Sequence, residues 1–189
     1  GAAHSWCGQV VEATEAFAHA GAISQETGSW QVFIIAHWNL ARLHAEQGNL
    51  HQAEQIYQQV LAQVADQPET SLSLATGRIH IGLAELMYQR NQLKAAARNI
   101  EQGMILARQA HETGTLTGAY LLLARLKQAQ GDLSGALEAG QQALSFARRY
   151  TGPRYLVQEA TSFQLRLWLA QGKLGAVARW VKEQALELI

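Results

Sequence analysis

Apolar and polar residues alternate along this chain in blocks that repeat. The stretch Gln47-Gly48-Asn49-Leu50-His51-Gln52-Ala53 recurs as Gln130-Gly131-Asp132-Leu133-Ser134-Gly135-Ala136 and as Gln171-Gly172-Lys173-Leu174-Gly175-Ala176-Val177. Weaker copies begin at Cys7-Gly8 and Arg90-Asn91. The turn residues Gly8, Gly48, Asn91, Gly131 and Gly172 are 40, 43, 40 and 41 residues apart. A fixed period of this size marks a stacked-repeat architecture. Gly, or less often Asn, at such a point suits the left-handed backbone that closes a helix.

Each turn is flanked by apolar residues at helical spacing. Before the turns stand Leu40-Ala41, Leu83-Ala84 and Leu123-Ala124, then the poorer Gln164-Leu165. Two residues after each turn comes Val10, Leu50, Leu93, Leu133 or Leu174; three further on come Ala13, Ala53, Ala96, Ala136 and the exception Val177. A large residue on the first helix and a small one on the second let two antiparallel helices approach closely. The pattern predicts an all-α fold, a right-handed α-α superhelix of helix pairs with a long period of 40–43 residues.

Taken in order, the chain starts inside a repeat, since almost no helix precedes Gly8. The second repeat runs from about Ser29, a residue type suited to an N-cap, to Asp66, where Gln67-Pro68 ends it. The third begins near Thr70 or Ser71, and its second helix is expected to run to Glu112-Thr113-Gly114. That tripeptide copies Glu26-Thr27-Gly28, 86 residues earlier. The fourth repeat runs from Thr115 to Tyr150 and stops at Thr151-Gly152-Pro153. The fifth carries helices at about 154–171 and 173–188. No linker interrupts this, so residues 1–189 read as one domain cut from a longer solenoid.

Composition supports the helical reading and removes several functions. The chain has 189 residues, 48% hydrophobic and 16% charged, with two prolines. It is long enough to bury roughly 70% of its unfolded surface. Its formal net charge is zero, whereas a nucleic-acid binder normally shows a basic face. Arg148-Arg149 suits a solvated helix C-terminus. The single Cys7 permits no internal disulfide and fits a reducing, cytoplasmic setting. No apolar run approaches the ~18 residues of a membrane span.

No phosphate-cradling loop, nucleophile elbow or H-E-x-x-H motif is present. His37, His44 and His80 share helical columns, but no carboxylate or cysteine completes a metal set. No enzyme activity, metal or cofactor is therefore expected.

The first helices of stacked pairs line the inner face. Six residues before each turn stand Arg42, Glu85, Arg125 and Arg166; ten before, Trp38, Ile81, Leu121 and Ser162. Thirteen before are Ile35, Arg78, Gly118 and Glu159, and three before are Ala45, Tyr88, Gln128 and Leu169. The candidate groove is Trp38, Arg42, Arg78, Glu85, Tyr88, Arg125 and Arg166. Such a set can hold a carboxylate, a peptide or a row of sugar hydroxyls. It can equally be a solvated face with Arg–Glu pairs between repeats.

The pattern Leu40-Ala41, Gly48-Asn49-Leu50, Ala53, Tyr57 resembles a tetratricopeptide repeat with lengthened helices. Runs such as Ala107-Arg108-Gln109-Ala110 and Leu144-Ser145-Phe146-Ala147-Arg148 resemble the solenoid of MalT-like, LuxR-type bacterial transcriptional regulators. So does Arg166-Leu167-Trp168-Leu169-Ala170-Gln171-Gly172, followed by Ala178-Arg179-Trp180. The resemblance implies a region for sensing an inducer, docking a protein or peptide, and self-association. It also implies a nucleotide-binding ATPase domain before this region, and that DNA is touched only by a helix-turn-helix domain outside this fragment. The alternative is a generic tetratricopeptide scaffold that docks a partner. Terminal helices bearing Val10 and Phe17, or Trp180, Val181, Leu186 and Leu188, are expected to lack part of their cover and so to pair two copies in a homodimer.

Overall fold

A computed structural model describes residues 10–65, 75–149 and 155–187, with side chains to residue 182 and without that of Tyr155. The turn at Gly8, Cys7, the stop at Gln67-Pro68, the start at Thr70 or Ser71, Thr151-Gly152-Pro153 and the side chains of Leu186 and Leu188 lie outside the described residues. Among the described residues there are nine helices and no strand. They are α1 Val10–Glu26, α2 Trp30–Glu46, α3 Leu50–Ala65, α4 Gly77–Gln89, α5 Leu93–Gln109, α6 Thr113–Ala129, α7 Leu133–Arg149, α8 Tyr155–Ala170 and α9 Leu174–Glu187.

Six described turns share one geometry. Gly28, Gly48, Asn91, His111, Gly131 and Gly172 all have positive φ, between 54° and 83°. The next residue's N–H then reaches back to a carbonyl five residues earlier: Asn49 to His44 at 2.9 Å, Gln92 to Met87 at 2.8 Å, Asp132 to Lys127 at 2.9 Å and Lys173 to Trp168 at 2.8 Å. This closure satisfies carbonyls that the helix end would leave unpaired. The new helix starts at once, with Asn49 and Asp132 carbonyls accepting from Ala53 and Ala136 at 3.1 and 3.0 Å. Asp132 also caps α7 through its side chain, whose Oδ1 accepts from Gly135 N–H at 2.8 Å. That bond, with Lys127 and Ser134, holds its carboxyl below the usual range.

Two sequence expectations need correction here. The tripeptide Glu112-Thr113-Gly114 does not end α5. The turn lies at His111, and α6 already begins at Thr113. The true counterpart of Gly28 is His111, 83 residues on, the same interval that separates Gly48 from Gly131. A local tripeptide match had hidden the register, because His at that point does not advertise a left-handed turn. Glu112 is instead part of the next helix's start, where its Oε2 accepts from Thr115 Oγ1 at 2.7 Å. Ser29 does stand at the N-cap of α2, but its side chain makes no capping bond. Its Oγ accepts from Thr27 Oγ1 at 3.3 Å.

The chain divides into two compact units, Gly1–Thr115 and Leu116–Ile189. In the first, α1 packs on α2, α2 on α3 and α4, α3 on α4, and α4 on α5. Its core is bulky: Phe33, Ile34, Ile56, Tyr57, Val60, Val64, Ile79, Leu83 and Leu86 are buried around Ala41 and Ala53. Glycines receive these side chains. A Cβ on Gly82 would overlap the ring of Tyr57, and one on Gly21 would overlap His37.

In the second unit α8 packs on α7 and α9. The core is leaner, with Ala136, Ala139, Ala143 and Ala147 of α7 against Leu121, Ala124, Ala160, Phe163 and Leu167. The small column after the turns is fully buried at Ala13, Ala53, Ala96 and Ala136, as the pattern predicts. A further column escaped the sequence reading. Leu43, Leu86, Leu126 and Leu167 stand five residues before each turn and are all buried. Their recurrence was visible in the sequence.

Candidate functional site

The seven groove residues fall into the two units, five in the first and two in the second. In the first unit α2 and α4 lie side by side. The first helix presents Trp38 and Arg42 four residues apart, hence on one face. Arg42 Cζ lies 5.2 Å from the Trp38 ring centroid, and Arg78 Cζ, from α4, lies 5.8 Å from the same centroid. Both distances suit cation–π attraction. One indole thus receives two guanidinium groups from two helices.

The two arginines differ in what neutralises them. Arg78 Nη2 donates to Glu112 Oε1 at 2.7 Å, and both side chains are less than a quarter exposed. Arg42 meets Glu46 on its own helix, with Nε to Oε1 at 3.5 Å. That contact is too poorly formed to be a hydrogen bond, and the Nε atoms of both Arg42 and Arg78 are buried without a hydrogen-bond partner. An exposed i,i+4 pair of this kind contributes little. Beneath them, burial pushes the Tyr57 hydroxyl well above the usual phenol range; Glu85 and Glu46 add to the rise and Arg42 opposes it. Arg42, Glu46 and Glu85 are therefore all within electrostatic reach of one buried phenol. Tyr88 is half-buried on the same helix as Glu85.

In the second unit Arg125 Nη2 donates to Glu159 Oε1 at 2.5 Å across α6 and α8. Arg166 is exposed on α8. Leu121, which the column count placed on the inner face, is buried in the core instead. Arg–Glu pairing between repeats, one of the two readings left open by the sequence, is thus realised at Arg78–Glu112 and Arg125–Glu159. A third pair, Arg90 with Glu54, joins α3 to the end of α4.

Two of the histidines are engaged with neighbours. His37 Nδ1 donates to the Phe33 carbonyl at 2.9 Å, and His80 Nδ1 lies 3.2 Å from Asn99 Oδ1. Among the described residues no group of three His, Cys, Asp or Glu could hold a metal ion. No described helix is long and apolar enough to cross a membrane.

The sequence pattern of the MalT-like TPR region matches residues 1–188. The chain belongs to the MalT-like TPR region family. No curated protein matches it in sequence. Among solved structures, the MalT-like TPR region described here is similar to BtubC (BKLC) from P. vanneervenii, with a TM-score of 0.72 and 16% identity over 97% of this chain and 76% of that one. It is also similar to a putative kinesin light chain with nearly identical TPR-like repeats from Podosopora anserina, with a TM-score of 0.60 and 21% identity over 97% of this chain and 90% of that one. A point-substituted form of that kinesin light chain gives 0.60 and 20%, covering 95% and 87%. At these identities the likeness establishes the tetratricopeptide-like, all-α fold.

Proposed function

We propose that residues 1–189 form one tetratricopeptide-like solenoid that serves a bacterial, cytoplasmic MalT-like regulator of the LuxR family. In this reading it is the region that senses a ligand, docks a protein or peptide, and self-associates. The observation that carries the reading is the family match over residues 1–188. The fold supports it, because stacked helix pairs offer extended faces for binding rather than a closed reaction pocket. The binding residues are Trp38, Arg42, Arg78, Glu85 and Tyr88 in the first unit, and Arg125 and Arg166 in the second. The fragment works without a cofactor, a metal or catalysis, and DNA contact belongs to a helix-turn-helix domain elsewhere in the parent.

Self-association as a homodimer draws support from α9, where Leu174 and Val181 are more than half exposed. Exposed apolar residues in a row favour contact surfaces. Two measurements test the reading. The complete native gene product should bind ATP and a defined DNA site, and sedimentation of the present chain should show a dimer that dissociates on dilution. A full-length product with neither nucleotide nor DNA binding would leave a generic partner-docking scaffold in its place.

A further inference from the structure

The two units contain the same inter-repeat contact with opposite chemistry. In the second unit the arginine six residues before its turn, Arg125, donates to the residue thirteen before the next turn, Glu159. In the first unit the matching residues are Arg42 and Arg78. They also converge, on the Trp38 ring. A second cation therefore stands where the repeat scaffold elsewhere supplies a carboxylate.

The two cations are not equally satisfied. Arg78 is drawn to Glu112 at 2.7 Å. Among the described residues Arg42 keeps only the Trp38 ring and the 3.5 Å contact to Glu46, whose side chain is 58% exposed. Its Nε is buried without a hydrogen-bond partner. A guanidinium with an unused fork, set over an aromatic plane, is built to take a carboxylate. On the same face of α2 as Trp38 and Arg42 stands the exposed Ile35, which provides apolar contact.

We propose that Arg42, backed by Trp38 and Arg78, binds an acidic side chain of a partner peptide that runs across α2 and α4. The peptide carboxylate gives Arg42 the counter-charge that Glu159 gives Arg125. This rests on the reading of the chain as a docking region and names what is docked: an extended segment with Asp or Glu next to an apolar residue. Charge complementarity sets the acid, and Ile35 sets the apolar neighbour.

The test is selection of random twelve-residue peptides on the complete chain, followed by affinity measurement of the winners by fluorescence anisotropy. Enrichment of Asp or Glu beside an apolar residue is expected, with at least tenfold weaker binding to Arg42→Gln. The Arg42→Glu variant should instead select Lys or Arg at that place. Circular dichroism melts of both variants confirm that they fold, and Arg42→Gln, which keeps much of the side chain's length and its polarity, carries the conclusion if Arg42→Glu does not fold. Selected peptides without acidic enrichment, or with affinity indifferent to Arg42→Gln, overturn the acidic-peptide assignment while peptide docking itself stands. Absence of any selected peptide overturns both. Free glutarate binding as tightly as the best peptide would assign the site to a small carboxylate and overturn the peptide assignment.

Discussion

Gln164 on α8 stands in a column that holds leucine in the other repeats, at Leu40, Leu83 and Leu123. It is 3% exposed, and both its Oε1 and Nε2 are buried without a hydrogen-bond partner. An unsatisfied buried amide costs about 1–3 kcal/mol. Its neighbour across the α7–α8 contact is Gly140, whose ideal Cβ would sit 3.3 Å from Oε1. A leucine is one heavy atom shorter, so it fits that space and leaves a small gap that takes back part of the gain. Gln164→Leu should therefore stabilise the second unit by about 1–2 kcal/mol. For a chain of this length that corresponds to a rise in melting temperature of roughly 2–8 °C. Gln164→Glu should do the opposite, since it buries a charge. Thermal melts followed by circular dichroism read both. A Gln164→Leu melt that is unchanged or lower would refute the reasoning, and would mean that the amide finds a partner such as a buried water.

Other consequences follow from named contacts. His111→Gly should stabilise the α5–α6 turn by about 1 kcal/mol, because φ is +54° there and glycine carries no Cβ penalty; urea unfolding checks it. Gly82→Ala should cost at least the ~1–3 kcal/mol of overpacking, since the new methyl meets the rigid, buried Tyr57 ring; a melt within about 1 °C of the parent (roughly 0.3 kcal/mol) would refute the Tyr57–Gly82 contact. Burial lowers the pKa of His44 below its ordinary 6.5, so the unfolded chain binds the extra proton first. Stability should then fall as pH drops through 6.5 towards the folded value. His44→Gln should flatten that part of the pH–stability curve, measured by urea unfolding from neutral pH downwards.

The sequence by itself determined the helix pairs, most of their turns and the small residues at their contacts. Gly48, Asn91, Gly131 and Gly172 announce left-handed closures because few residues tolerate that backbone. Ala53, Ala96 and Ala136 announce tight helix pairs because a larger side chain would hold the axes apart. Both signals act within a few residues, so they survive in the linear text. His111 was missed because its strain is tolerated rather than advertised, and a chance tripeptide at Glu112 drew the boundary too far along the chain.

The site belongs to the other class. That Arg42 and Arg78 share the Trp38 ring, while Arg78 leans away to Glu112, depends on how α2, α4 and the start of α6 are placed after the chain has turned several times. Column counting put Arg42, Arg78 and Arg125 on one inner face, yet their partners differ: a ring, a ring with a carboxylate, and a carboxylate. Charge pairs between repeats join residues 34 apart at Arg78–Glu112 and Arg125–Glu159, an interval that is not the repeat period. Which arginine keeps an unused fork is thus decided by side-chain reach across packed helices, and only the tertiary structure fixes it.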